Sequence, residues 1–504
     1  MALTSFNIAI VAFVALGSYT YAYAYAIFAT TIGQAGFYTS FGLDPTSEYT
    51  ASVIGAMSAL FALGAGIGAI LQGWTGDYLG RKKSFIMGLI VSLIGGALVA
   101  GSVNVPMFIV FRFVQGIGLG QCFAMSPLYI SEVAPPRRRG LLTGLTASGL
   151  VSGYVTSAWV GYAAYFAKNV SVQWRLPLAI SCLAPLVLLC GIYWMPESPR
   201  FLALVNRNEE AWAIIKKIHH DPTDVDDVAA HAEYTQICKQ VELDKETEGG
   251  YIAMFSKPSW RKRSLLAVFI MFATQSTGCL GITTFQVIIY SSLGLKGPMP
   301  LLMYGVYVTV AAFFNFCGAA SVDKIGRRRQ LLIGYPLISV VLLINAILQK
   351  TYVGTTSTGG NAACVLFIFL FISVYSFFID PPQFVFVSEI FPTNIRAKGI
   401  GLAFAAYFLG AITYTAPAAV AFKNIGWKMY MVWFAVSIVS SVLIYFFIPE
   451  TKGLALEEIG ELFGDKVVVH MTSDGRGIVE KGEGMIIDNE KEVSDNGLHV
   501  ETSN

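Results

Sequence analysis

A helix needs about 20 consecutive apolar residues to cross the hydrocarbon core of a bilayer, and twelve stretches of this sequence meet that requirement. They fall near 7–29, 51–72, 84–102, 105–128, 140–166, 175–195, 264–290, 301–322, 330–349, 362–388, 398–421 and 427–448. In lipid, backbone polar groups must be satisfied internally, so each run reads as a helix and not as an isolated strand. This holds even where Tyr19, Tyr21, Tyr23 and Tyr25 alternate with small residues. On a helix Tyr19 and Tyr23 share one face and Tyr21 and Tyr25 another, and one such pair either lines a cavity or packs against neighbours. Composition excludes a soluble chain: 55% of residues are hydrophobic, 13% are charged, and the first Lys or Arg is Arg81. The first run starts close to Met1 without a basic flank or a small-residue cleavage site, so it is expected to be a retained helix.

The sequence also repeats itself. Ser131-Glu132-Val-Ala-Pro-x-x-x-Arg139 returns as Ser388-Glu389-Ile-Phe-Pro-x-x-x-Arg396. Asp77-x-x-Gly80-Arg81 returns as Asp323-x-x-Gly326-Arg327, and Pro196-Glu197-Ser198 as Pro449-Glu450-Thr451. Three pairs in one order, each spaced by half the chain, mark an internal duplication. The expected fold is therefore an all-α membrane protein whose twelve transmembrane helices form two pseudo-symmetric six-helix bundles. Residues 1–196 form the first bundle, 197–263 a cytoplasmic helical linker, 264–464 the second bundle, and 465–504 a disordered cytoplasmic tail. Within the linker, Asn208 to Ile218 has acids first, bases last and Trp212, Ile215 and Ile218 on one side, the pattern of a helix.

Basic residues cluster in alternate loops: Arg81 to Lys83, Arg137 to Arg139, Arg327 to Arg329, and Arg396 with Lys398. The excess of positive charge marks the cytoplasmic side, which puts both termini inside the cell. Asn169-Val170-Ser171 then lies outside as a candidate glycosylation site. The net charge of +2 is spread over short clusters and suggests no nucleic-acid partner. The cysteines are scattered and no histidine lies in an apolar run, so no metal or other cofactor is expected. There is no phosphate-binding loop or credible catalytic triad, and an enzyme is not expected.

Further motifs accumulate: Gly73-x-x-x-Asp77-x-x-Gly80-Arg81, Arg112-x-x-x-Gly116-x-Gly118-x-Gly120, Trp174-Arg-Leu-Pro177, Pro196-Glu-Ser-Pro-Arg200 and Pro449-Glu-Thr-Lys-Gly453. Over essentially residues 5–464 the chain resembles a sugar porter of the major facilitator superfamily, of fungal type. The resemblance implies a carrier in a plasma membrane, moving a sugar or polyol by alternating access as a uniporter or a proton symporter. It also implies a cytoplasmic gate of Asp77, Arg81, Glu132, Arg139, Asp323, Arg327, Glu389 and Arg396, with Glu132–Arg139 and Glu389–Arg396 at its centre. Simple anchoring of helix ends at the headgroups is the plainer reading of the same charges. A carrier of a non-sugar metabolite, importer or exporter, and a receptor-like nutrient sensor on the same fold are the rival functions.

At the cargo site the sequence departs from the family. Ala147 stands where a helix-five Gln is usual, and helix seven keeps only Gln275 of the principal polar set, within Thr274-Gln275-Ser276-Thr277-Gly278. Helix ten reads Pro381-Pro382-Gln383-Phe384 in place of Pro-x-Pro-Trp. The expected cargo residues are Thr274, Gln275, Thr277, Asp380, Gln383 and Phe384, with Ser276, Gln286 and Asn315 as partial substitutes for the lost polar groups. Proton-driven relatives often carry an acid after a helix-one tyrosine; here Ala24 follows Tyr23, while Arg112 remains. Asp380 is the one acid well inside an apolar run, where charge is expensive. It and Arg112 are the coupling candidates, the alternative being that Asp380 bonds backbone groups freed by the two prolines.

Overall fold

The computed structural model describes residues 5–480, apart from positions 46, 136–137, 219–226, 246–248, 356, 419–420, 422–423, 455, 457, 466–468 and 472–477. The first six spans are α1 (Ser5–Thr31), α2 (Glu48–Tyr78), α3 (Arg81–Ala100), α4 (Val105–Val133), α5 (Arg139–Tyr165) and α6 (Val170–Ile180 with Leu183–Gly191). The second six are α7 (Pro258–Ser276 with Cys279–Ser292), α8 (Met299–Ile325), α9 (Arg327–Tyr352), α10 (Thr358–Phe378 with Asp380–Glu389), α11 (Arg396–Thr415) and α12 (Lys428–Phe447). Among the described residues, eleven of these spans are long and apolar enough to cross a membrane. The exception is α5, a 27-residue helix diluted by Gly, Ser and Thr. It packs against α1 and against α8 of the other half, so protein rather than lipid covers much of it. The flanks of the molecule, by contrast, present large apolar side chains such as Ile94, Phe313, Leu366 and Val442 outward, as a lipid-facing surface requires.

Three spans are broken, each for a local reason. Pro185 cannot donate to the carbonyl four residues earlier, and α6 is interrupted there. In α7 the break falls at Gly278, whose φ of +85° is left-handed and whose Cα lies against the Trp433 ring. In α10, Pro381 has no N–H for the Phe377 carbonyl; Gln330 Nε2 of α9 takes that carbonyl at 3.4 Å instead. Asp380 therefore opens the second part of α10.

The two halves meet mainly along α2 with α11 and α5 with α8. Inside the first half, α4 is wedged between two helices at backbone distance. A Cβ on Gly116 or Gly120 would strike the α2 backbone at Phe61 or Ala65, and one on Gly118 would strike α3 at Gly88 and Ser92. The alternate glycines thus serve two interfaces, one on each side of α4.

The linker forms helices Pro199–Leu204, Asn208–Ile218, Val228–Lys245 and Tyr251–Ser256, with a small core of Ala203, Ile215, Ala230, Ile237 and Val241. The last residues of the linker region already belong to the helix of the first span of the second half: α7 starts at Pro258, so Arg261 to Arg263 lie on its first turns. The tail differs from the disordered segment expected. Val469–Met471 (β1) pairs antiparallel with Ile478–Glu480 (β2), and β1 lies beside the Val228–Lys245 helix. The β-branched residues of these two stretches favour that pairing. Residues 481–504 lie outside the described residues.

Candidate functional site: a charged gate and a central cavity

At the end of the molecule carrying the basic clusters, each repeated motif builds the same unit twice. Arg81 grips Glu132 with two hydrogen bonds, Nη2–Oε1 at 2.8 Å and Nε–Oε2 at 3.0 Å. Arg327 grips Glu389 in the same way, at 2.8 and 3.2 Å. Fork-to-carboxylate pairs of this kind fix geometry as well as charge. The first N–H of the following helix is capped by the acid of the Pro-Glu motif: Arg81 N on Glu197 at 2.9 Å and Arg327 N on Glu450 at 3.0 Å. A carboxylate there answers the positive end of α3 or α9. Burial lifts the Glu197 carboxyl above the ordinary carboxylate range, against the pull of backbone N–H groups and of Arg81. The motif glycines make this cap possible. Gly80 has φ +92° and Gly326 φ +102°, and a Cβ on either would lie 2.5 Å from the capping glutamate.

Other bonds cross from one half to the other. Lys398 Nζ of α11 meets Asp77 Oδ2 of α2 at 2.9 Å. Leu141 N of α5 donates to Asp323 Oδ2 of α8 at 2.8 Å. Arg396 Nη1 lies 3.8 Å from Glu132 Oε1. The hydrogen-bonded partners of the two glutamates differ from the arginines expected beside them. The forked arginine of each glutamate is the one from Asp-x-x-Gly-Arg in its own half, while Arg396 reaches across to Glu132. Arg139 is buried at the start of α5 beside this cluster. An acid of each half thus meets a donor of the other.

Inside the bundle lies a small cavity of about 40 Å³, walled by Tyr154, Cys279, Tyr307, Tyr375, Asp380 and Tyr407 among others. That volume is far below the range of about 300–1,000 Å³ typical of ligand pockets. Toward the end opposite the gate, a vestibule of about 540 Å³ opens between the halves, with Tyr38 and Ile54 on one side and Phe285, Gln349 and Trp427 on the other. Between the two, Tyr25 Oη of α1 meets Thr284 Oγ1 of α7 at 2.9 Å. Of the two tyrosine faces on α1, Tyr21 and Tyr25 turn inward, Tyr21 stacking on Phe123 at 4.6 Å. Tyr23 instead bonds the Pro177 carbonyl of α6 at 3.1 Å.

Over residues 10–463 the sequence matches the family described as sugar (and other) transporters. The chain belongs to that family. It is 30% identical over 460 residues to the MFS-type transporter criB of Aspergillus cristatus, covering 91% of this chain and 93% of that one. It is 27% identical over 479 residues to the low-affinity glucose transporter HXT3 of Saccharomyces cerevisiae, covering 90% and 82%. The fold matches the proton:xylose symporter XylE bound to 6-bromo-6-deoxy-D-glucose with a TM-score of 0.81, at 23% identity over 92% of this chain and 100% of that one. Against the inward-open conformation of XylE the TM-score is 0.68. The protein is thus a multi-pass membrane transporter with the major facilitator fold.

The sugar-transporter residues expected at the cargo site are all buried, but they do not form one cluster. Asp380 lines the cavity; its Oδ2 accepts from Asn315 Nδ2 at 2.7 Å and its Oδ1 from Gln383 Nε2 at 2.9 Å. The backbone-satisfying role that the prolines suggested for Asp380 falls to Gln330. Gln275 is buried with neither amide atom hydrogen-bonded. The hydroxyls of Thr274, Ser276 and Thr277 bond carbonyls of their own helix, at 2.7, 2.9 and 2.7 Å. Phe384 packs with Phe123, Phe404 and Tyr407. Arg112 sits apart between the rings of Phe28 and Phe61, 4.9 and 4.3 Å from their centres, with Nη1 on the Ala24 carbonyl at 2.8 Å. No hydrogen bond or ion pair joins it to Asp380 among the described residues.

Asn169 is exposed at the end opposite the gate, where its Oδ1 caps α6 by accepting from Ser171 N at 2.9 Å. No group of three or more potential metal ligands occurs among the described residues. Sequence reasoning missed Lys398, Leu141, Glu197 and Glu450 as gate parts. The repeat carried the signal: Leu141 and Lys398 each stand two residues after the motif arginine, and each meets the Asp-x-x-Gly-Arg acid of the other half.

Proposed function

We propose that the protein moves a small polar solute, a sugar or polyol, across the plasma membrane by alternating access, with the gate and both termini facing the cytoplasm. The observation that carries this reading is the asymmetry of the two ends. Cross-half bonds close the basic end, while the opposite end opens into a vestibule that leads toward a cavity still too small for cargo. Rocking the halves about that cavity exchanges which end is closed, and the gate bonds must break on every inward opening. The glucose-transporter name of one relative and the buried, unbonded amide of Gln275 favour a hydroxylated cargo, because such an amide gains its missing partners when a hydroxyl arrives. The position of Asn169 opposite the gate supports its use as a glycan acceptor on the outer face.

The tyrosine and aliphatic walls of the cavity favour a second reading, in which the solute is a less polar metabolite. Uptake of labelled D-glucose, D-xylose and sorbitol into proteoliposomes holding the full chain separates the two. Saturable uptake of any of them, competed by the unlabelled compound, supports a sugar or polyol; none above protein-free liposomes overturns that cargo class.

A further inference from the structure

We infer that Asp380, Asn315 and Ser148 form a proton-binding relay that spans the two halves and couples proton movement to the rocking of the carrier. This deepens the reading of the protein as an alternating-access carrier and rests on it.

The geometry is a continuous chain. Gln383 Nε2 and Asn315 Nδ2 each donate to one oxygen of the Asp380 carboxylate. The other end of the Asn315 amide, Oδ1, accepts from Ser148 Oγ at 3.0 Å. Asp380 and Gln383 stand on α10 and Asn315 on α8, all in the second half; Ser148 stands on α5, in the first. The Ser148–Asn315 bond therefore lies in the interface between α5 and α8, which shifts whenever the halves rock.

The carboxyl is held between two protonation states. Ionised, it is 2% exposed with no cation paired to it among the described residues, an expensive position for a charge. Against that stand two amide donors and the N-terminus of the second part of α10. The titratable side chains around it are Tyr154 of α5, Cys279 of α7, Tyr307 of α8, Tyr335 of α9, Tyr375 of α10 and Tyr407 of α11. All are uncharged near neutral pH. From α4 the contact on this part of α10 is Phe123 on Phe384.

Adding a proton to Asp380 Oδ2 turns an acceptor into a donor, which the present amide arrangement cannot meet. The Asn315 amide resolves the conflict by rotating half a turn. Its Oδ1 then accepts the new O–H, and its Nδ2 points at Ser148 Oγ. The serine hydroxyl, now an acceptor from Asn315, sends its own hydrogen to a carbonyl of its own helix. One proton taken from the water-filled side thus reverses the direction of the bond between the halves. Release of that proton to the other side restores it. Gln383 Oε1, which has no partner, is left to receive a donor from the cargo.

The test uses the full chain in liposomes. A pH-difference infrared spectrum should contain a carboxylic C=O band that Asp380→Asn removes. With an inward-directed gradient of one pH unit, a transported probe sugar (D-glucose or D-xylose) should accumulate up to about tenfold, the factor that one proton per cargo supplies. Asp380→Asn should lose accumulation, and a monodisperse peak in size-exclusion chromatography shows that the variant folds. Ser148→Ala should keep the infrared band and lower accumulation. A band that survives in Asp380→Asn, or accumulation unchanged in that variant, overturns the relay. If no probe sugar enters at all but the band is present and Asp380-dependent, the sugar reading fails and the proton site stands.

Discussion

Lys398 offers the cleanest perturbation of the gate, because both of its bonds leave its own half or reach the linker. Its Nζ lies 2.9 Å from Asp77 Oδ2 and donates to the Gly249 carbonyl, also at 2.9 Å. The two side chains of the ion pair are 15% and 21% exposed. A charged hydrogen bond contributes about 1.5–3 kcal/mol when buried, and partial exposure reduces the gain. Lys398→Met removes the ammonium and keeps most of the stem, for a net loss of about 2 kcal/mol from the bond to Asp77. That loss falls on the state closed at the basic end, since rocking the halves apart already separates Lys398 from Asp77. The balance between states should therefore move about 30-fold toward opening at that end. Ala319 reads the change: it is buried on α8 against Gly144 of α5, across the interface. In a background without the native cysteines, a membrane-permeant maleimide should label Ala319→Cys about 30-fold faster when Lys398→Met is added. Lys398→Arg should stay near the parent rate. Equal rates in the Met and Arg variants, with the protein folded, would refute the view that cross-half bonds hold this end shut.

Other expectations follow from the same geometry. Gly326→Ala puts a Cβ at φ +102° and 2.5 Å from Glu450, so a thermal-shift assay should show a lower Tm, equivalent to about 1–3 kcal/mol of strain; an unchanged Tm would contradict the strained-turn argument. Gly120→Leu has no space at the α2 backbone beside Ala65 and should abolish the monodisperse peak in size-exclusion chromatography, whereas Gly359→Ala meets nothing within 4 Å and should elute normally. For orientation, an impermeant thiol reagent applied to intact cells should reach Val103→Cys in the exposed loop between α3 and α4 and not Tyr193→Cys at the gate end; the reverse pattern would invert the proposed topology.

Much of this architecture was legible in the sequence because a bilayer imposes strict rules. Length and apolarity placed the spans, although Gly, Ser and Thr leave α5 less apolar than the other eleven, and the repeated motifs divided them into two halves. Conformation at single residues was legible at Pro381 and Pro382, which free backbone groups in α10, whereas the breaks at Pro185 and Gly278 emerged only in the structure. That these charged residues belong together could also be read, since acids and bases stand at helix ends in matched order in both halves. Their pairing could not. Glu132 could choose among Arg81, Arg139 and Arg396, and the choice depends on where α3 and α11 end in space, which no spacing along the chain encodes.

The cargo site shows the same division more sharply. Sequence singled out Asp380 as the buried acid, because a charge in an apolar run needs an explanation. It could not tell that Asn315 and Gln383 hold both carboxylate oxygens, or that Ser148 from the other half extends the chain. Those residues are far apart along the chain, and hydrogen bonds depend on angstrom-scale approach. The hydroxyls of Thr274 and Thr277 show a related effect: a hydroxyl on a helix can bond its own backbone, and only the folded rotamer shows that it does. The sequence alone settled that the chain spans a membrane as a duplicated helical carrier, because hydropathy and repeats are properties of the chain itself. Which end is closed, and which polar groups face the cavity, was decided by tertiary packing, because both depend on distances between helices of different halves.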